Sequence, residues 1–234
     1  MAMFPSLDGF KLREVSGDLF RNIVSLRTSE DLFDDLSADP DDWQHAQTLE
    51  MTTKPPAFLS HQPVIDRPFE EPVFFEAIGF PFDNWSETRF SNGSFGVWYG
   101  CPELSTTVHE TVYHWRNGHL GDVGLENEIG VAVERRVHLV QCQADLIDLI
   151  PAASAMLGLV SNDYAFCHTL GDRIHSQGHP GLWTPSARCD GANAAIFNSR
   201  VLSNPRPFCY LTYTIASAGV EVERAPGSLM MTVP

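Results

Sequence analysis

Lysine is almost missing from this chain: of its 15 basic residues only Lys11 and Lys54 are lysines, and the other 13 are arginines. Cations of either kind are outnumbered two to one by 30 acidic residues, for a net charge of −15. Such a balance argues against a nucleic-acid backbone as partner. It leaves room for a small anion held by a few planar guanidinium forks. No run of about 18 apolar residues occurs, so no transmembrane helix is expected and no membrane partner. The N-terminus, Met1-Ala-Met-Phe-Pro-Ser-Leu-Asp8, lacks the basic and apolar regions of a secretory signal. The five cysteines, Cys101, Cys142, Cys167, Cys189 and Cys209, are odd in number, widely spaced and without a C-x-x-C pair. That speaks against a disulfide framework or a thiolate zinc site, and the expected location is a reducing cytoplasm.

Several chemical signatures are absent too. There is no G-x-x-x-x-G-K-[ST] loop and no G-x-G-x-x-G after a strand, hence no support for a P-loop or Rossmann nucleotide site. There is no G-x-S-x-G elbow to anchor a hydrolase triad. His109 and His114 stand five apart, which turns them about 140° from each other on a helix, so they do not form the i, i+4 zinc pair. His175 and His179 have the right interval, but Gly178 and Pro180 break the helix there. No metal is expected.

What remains is 43% hydrophobic, enough for one domain with a sizeable core. Residues 1–55 read as an acidic helical N-terminal extension. Leu19, Phe20, Ile23 and Val24 fit a helical stripe from Asp18 to about Leu26. Thr28-Ser-Glu-Asp and Asp39-Pro40 read as helix starts. The seven acidic residues between Glu30 and Asp42 read as a solvated face, with docking to a basic partner as the sharper option. Five prolines between 54 and 72 mark a connector, taken as 56–72. From 73 to 234 the pattern is mixed. Val73–Ile78, Phe95–Tyr99, Ile129–Val133, Val137–Gln141, Gly181–Thr184, Ala194–Asn198, Cys209–Ile215 and Val220–Val222 read as strands. Leu104 to about Trp115, Pro151–Leu157 and Asn162–Ser176 read as helices, with a loop at Gly118, Gly121 and Gly124. Helices interrupting strands without a regular β-α-β beat imply an α+β fold.

Two stretches carry chemistry. In the first, Arg89 follows a turn, Tyr99 ends an apolar run, and Glu110 sits in the helix beginning at Leu104, on the side of Thr107 and His114. A cation, an aromatic ring and a carboxylate from successive elements would line one cleft, suited to a positively charged, phosphate-bearing ligand. A Glu on a polar helix face is by itself commonly just solvated, so Glu110 draws its interest from its neighbours. In the second, Gly178-His-Pro-Gly-Leu-Trp-Thr-Pro-Ser-Ala-Arg188, a strand ends at Pro185 and then presents Ser186 and Arg188. Both side chains can donate to phosphate; an ordinary turn with a capping Ser is the bland alternative.

Together these stretches resemble the RES domain family: Arg89-Phe90, a strand ending in Tyr99, Glu110 eleven residues on, then Gly181-Leu-Trp-Thr-Pro-Ser186-Ala-Arg188. Three positions depart from the family pattern. Glu87 and Thr88 stand where two glycines usually precede the Arg, which bears on the turn that aims Arg89 and places a carboxylate near it. Thr107 stands at the small residue three before the Glu. The resemblance implies an ADP-ribosyltransferase-like mixed sheet core with flanking helices. It also implies an enzyme that consumes NAD as substrate, typically a bacterial toxin held by a small helical antitoxin. A NAD glycohydrolase or phosphorylase is the leading expectation. A protein ADP-ribosyltransferase, or a non-catalytic nucleotide- or protein-binding module, is the alternative. In that frame Glu110 would stabilise the oxocarbenium-like ribose as nicotinamide departs. Tyr99 would pack on the nicotinamide ring. Arg89 would pair with the pyrophosphate, helped by Ser186, and Arg188 would serve the same anion or an acceptor phosphate.

Overall fold

A computed structural model describes residues 9–25 and 71–234. It is a mixed α+β structure built on one curled eight-stranded sheet. Strand β1 (Lys11–Val24) pairs antiparallel along β5 (Ala132–Asp148) in unbroken register, from Lys11 opposite Asp148 to Val24 opposite Arg135. This corrects the helical reading of Asp18–Leu26. The pairs Leu19/Ile23 and Phe20/Val24 are four apart, and four is an even number, so each pair shares a strand face as readily as a helix face. Val15 and Leu19 are buried in the core beneath β5, and it is the long partner strand that decides. The helix starts at Thr28 and Asp39-Pro40, the acidic run Glu30–Asp42 and the connector up to residue 70 lie outside the described residues.

The run Val73–Ile78, expected as a strand, is helical. Helix α1 (Glu71–Phe74) passes through a π-helical turn, Phe75–Gly79, into α2 (Phe80–Asp83). Pro72 at an early helical position favours this start. Ala77 and Ile78 are fully buried while Phe75 and Phe80 stay largely exposed, so the segment covers the sheet with one face only. The indole of Trp98 donates to the Ala77 carbonyl at 2.7 Å and fixes it.

Next come the two-residue strands β2 (Glu87–Thr88) and β3 (Ser91–Asn92), then β4 (Trp98–Gly100), narrower than the run Phe95–Tyr99 read from sequence. Helix α3 (Leu104–Tyr113) forms as its stripe predicts, with Val108 and Val112 buried. It continues as a π-helical stretch, His114–Leu120, beyond the expected end and through Gly118. The two strands expected at 129–141 are one, β5: Glu134-Arg135-Arg136 do not turn, because Arg135 and Arg136 find partners on either side. Helix α4 (Ala165–Ser176) starts three residues later than the expected Asn162 and ends where expected, with Gly178 left-handed just past it. Strands β6 (Gly181–Pro185), β7 (Ala192–Ile196), β8 (Leu202–Ala216), β9 (Gly219–Glu223) and β10 (Leu229–Val233) complete the sheet.

The sheet runs β10-β9-β8-β5-β6-β7-β4 with β1 on the other edge of β5. Only β5 and β6 are parallel; the other pairs are antiparallel. Its curl has a consequence at the site. Phe20 of β1 exchanges two backbone hydrogen bonds, 2.7 and 3.1 Å, with Cys101 just past β4. The strands β5, β6, β7, β4 and β1 therefore close a ring, and the cleft described next opens where that ring is joined.

Candidate active site

The cleft has a volume of about 620 Å³, and Arg89, Tyr99 and Glu110 all line it. Three elements deliver them. Arg89 and Phe90 form the turn between β2 and β3, where Glu87 pairs with Asn92 and Thr88 with Ser91. Among the described non-glycine residues only Asn204 has a left-handed backbone, so this turn forms without the two glycines the family pattern usually supplies. Phe90 plugs the core with no exposed surface. Helix α4 comes close enough to pin the turn because Gly171 lacks a side chain: a Cβ there would lie 2.0 Å from the Phe90 carbonyl oxygen. Arg89 points the other way. One of its terminal nitrogens, Nη1, donates to the carbonyls of Leu159 (3.1 Å) and Ser161 (2.6 Å). The guanidinium lies 4.7 Å from the Tyr164 ring centre. Its Nη2 is buried with no partner.

Tyr99 comes from β4. Its hydroxyl accepts from the Phe90 N–H (3.1 Å) and donates to the Thr88 hydroxyl (3.1 Å), tying the Arg89 turn to the sheet. Thr88 thus contributes a hydrogen bond that glycine cannot. Burial pushes the Tyr99 phenol upward, so the hydroxyl stays protonated at neutral pH. Glu87, the other departure, puts its exposed carboxylate at the cleft margin, 3.9 Å from His168 Nε2.

Glu110 lies on α3 with Thr107, Thr111 and His114 along the cleft side of the helix. Its Oε1 accepts from three donors: the Ser186 hydroxyl at 2.6 Å, the Asn193 amide at 2.8 Å and the Ala187 N–H at 3.2 Å. Three donors on one oxygen fix the carboxylate in place. Ser186 therefore does not stand free to donate to a ligand phosphate, as the sequence suggested. Its only proton goes to Glu110, and it accepts in turn from the N–H groups of Arg188 (3.1 Å) and Cys189 (3.3 Å). Arg188 does not reach the cleft at all. Its guanidinium stacks 3.2 Å from the Tyr113 ring centre and lines a separate cavity of about 130 Å³ beside His109 and Arg116. His109 and His114 consequently lie on opposite faces of α3.

Sequence reasoning missed the residues that hold these groups. Asn193 clamps Glu110 and accepts from the Cys101 thiol at 2.7 Å. An Asn inside the apolar strand Ala192-Asn-Ala-Ala-Ile196 was the available signal, because a buried amide needs partners. Asn22, 7% exposed, joins β1 to α3 and the sheet. Its Nδ2 donates to Tyr213 (2.8 Å) and Thr107 (3.3 Å), and its Oδ1 accepts from Arg135 Nε (3.0 Å). Thr111 and Tyr213 share a further bond of 2.8 Å. Three buried polar atoms of cleft-lining side chains have no partner: Arg21 Nε, Arg89 Nη2 and Thr184 Oγ1. Among the described residues no group of three His, Cys, Asp or Glu side chains could hold a metal ion. No helix among them is long and apolar enough to cross a membrane.

The arrangement can present a fixed carboxylate to a ligand that a nearby guanidinium and aromatic ring hold in place. Compared with known proteins, residues 66–216 match the sequence model described as the RES domain. No curated protein matches the chain. Among solved structures, the chain is similar to the M. tuberculosis MbcT–MbcA toxin–antitoxin complex at 10% identity and a TM-score of 0.46, over 89% of this chain and 90% of that one.

Proposed function

The chain belongs to the RES domain family, and on that premise we propose that its cleft takes up NAD and releases nicotinamide, as a glycohydrolase or phosphorylase. The observation that supports this best is the convergence of Arg89, Tyr99 and Glu110 on one cleft, with Glu110 clamped by three donors. Nicotinamide is a cationic leaving group, and its departure leaves positive charge on the ribose. A carboxylate held in advance stabilises that charge without having to reorganise. In this reading Arg89 serves the pyrophosphate and the Tyr99 ring borders the nicotinamide. Ser186 acts through Glu110 rather than on the ligand. NAD is the substrate, and the chemistry calls for no metal.

The experiment is to incubate purified protein with NAD, with and without phosphate, and identify the products. Free ADP-ribose marks hydrolysis, ADP-ribose phosphorylated at the anomeric carbon marks phosphorolysis, and label retained on protein marks ADP-ribosyl transfer. Glu110→Ala is expected to lower nicotinamide release about 10²–10³-fold, the loss typical of one preorganised electrostatic contact. Turnover by Glu110→Ala equal to wild type sinks the assignment. An enzyme that drains NAD has to be restrained, and the family reading makes this chain a toxin with a small helical antitoxin covering the cleft. Expression is then expected to slow bacterial growth and lower cellular NAD unless the neighbouring gene product is co-expressed. Equal burden from wild type and Glu110→Ala, at constant NAD, favours a binding module without turnover.

A further inference from the structure

We propose that Arg21 is a second oxyanion contact of the cleft, supplied by strand β1 and directed at a phosphate group of the ligand. The proposal rests on the reading of the cleft as a nucleotide site, and it adds a residue from outside the segment that the family model matches, 66–216.

Arg21 lines the cleft beside Tyr99, Gly100 and Cys101. Its Nη1 donates to the Tyr99 carbonyl at 3.0 Å, its guanidinium carbon lies 5.6 Å from the Trp98 ring centre, and its Nε is buried without a partner. No carboxylate among the described residues pairs with it. Its charged neighbour is another cation, Arg135, which is 7% exposed and bonded to the side chain and carbonyl of Asn22. Directly opposite it on β5 stands His138, fully buried and with both ring nitrogens unpartnered. Burial, with Arg135 adding to it, draws the Arg21 guanidinium down to about 10, still charged at neutral pH.

A half-buried cation with no carboxylate partner among the described residues is an unfavourable feature unless a ligand supplies the counter-charge. Here the cation is also rigid, held by a carbonyl and an aromatic ring, and it forms part of a cleft wall. Those properties suit a preorganised oxyanion receptor. Its place fits as well. Tyr99 lies between the two arginines, its hydroxyl anchored in the Arg89 turn and its carbonyl bonded to Arg21. A ligand lying across Tyr99 meets a guanidinium on each flank. The phosphate near Arg21 is either part of the dinucleotide or a free acceptor ion.

The test compares Arg21→Gln and Arg21→Lys with wild type by titration calorimetry against ADP-ribose, inorganic phosphate and adenosine. Arg21→Gln is expected to weaken ADP-ribose or phosphate binding about 10- to 30-fold, as loss of one charged hydrogen bond does. Arg21→Lys is expected to recover part of this, and adenosine affinity to stay at the wild-type level. Phosphate titrated into protein saturated with ADP-ribose separates the sources: competition means the ligand's own phosphate, independent binding a free ion. If Arg21→Gln fails to fold, the arginine Nε resonances of wild type, assigned with Arg21→Lys, provide the readout. The Arg21 signal shifts on adding ADP-ribose or phosphate if the proposal holds, and an unmoved signal overturns it. Undiminished affinity of Arg21→Gln for both anions also overturns it. Wild type that binds phosphate but neither ADP-ribose nor NAD fails the nucleotide reading instead.

Discussion

Replacing Ser186 with Ala separates two roles for one hydroxyl. The Ser186 proton is donated to Glu110 Oε1 at 2.6 Å, within a clamp completed by Asn193 and Ala187 N–H. A hydrogen bond to an ionised acceptor contributes about 1.5–3 kcal/mol. If the clamp serves to hold the carboxylate where charge develops, that energy appears in the transition state. The kcat for nicotinamide release then falls about 10- to 150-fold while KM for NAD changes little. Asn193→Ala should act the same way, and the double variant should fall short of the product of the two effects, since both donors act on one oxygen. The assay is steady-state nicotinamide release with each variant's fold checked by thermal unfolding. A raised KM with unchanged kcat for Ser186→Ala would return Ser186 to the ligand phosphate and refute the clamp.

Asn22→Leu removes three side-chain hydrogen bonds and strands the Arg135 Nε, so urea unfolding should show a loss of about 3–5 kcal/mol, partly recovered in Asn22→Leu/Arg135→Leu. His138 is fully buried and its pKa is lowered to about 4, by burial first and by Arg136 and Arg21 next. A histidine unprotonated in the fold but protonated when unfolded lowers stability as pH falls from about 6.5 to 4, here by roughly 2–4 kcal/mol. Unfolding of wild type and His138→Leu across that window checks it, and the variant should lose the acid sensitivity. Gly171→Ala forces α4 away from the Phe90 carbonyl, with an expected loss of about 1–3 kcal/mol and a raised KM through displacement of Arg89. An unchanged melting temperature would show that the Phe90 turn yields freely.

How far the sequence could be read depended on the range of the interactions involved. Helix α3 was legible because Val108 and Val112 mark a buried stripe within one element. That Arg89, Tyr99 and Glu110 would line one cleft was legible because they stand on consecutive elements. Strand β1 was not, since its spacing of four suits strand and helix alike and its partner β5 lies far along the chain. The same distance hid Asn22 and Arg21. Ser186 was found as a residue, but its acceptor is a carboxylate 76 positions away, and no local pattern announces that. Arg188 was misdirected for a similar reason: a nearby ring, Tyr113, captured its guanidinium.

The closed ring of strands also sets an order of assembly. β1 can dock only on β5, more than a hundred residues later, and its free edge is satisfied only when Cys101 is in place. Pairings of such long sequence separation form slowly, because a large loop must close before any contact stabilises it. Cleft walls from β1, the Arg89 turn, α3 and the β6–β7 pair come together only once that closure is made. A chain in which that closure has not formed lacks part of the cleft wall. For the NAD-consuming activity proposed above, topology would then tie the complete cleft to the complete fold.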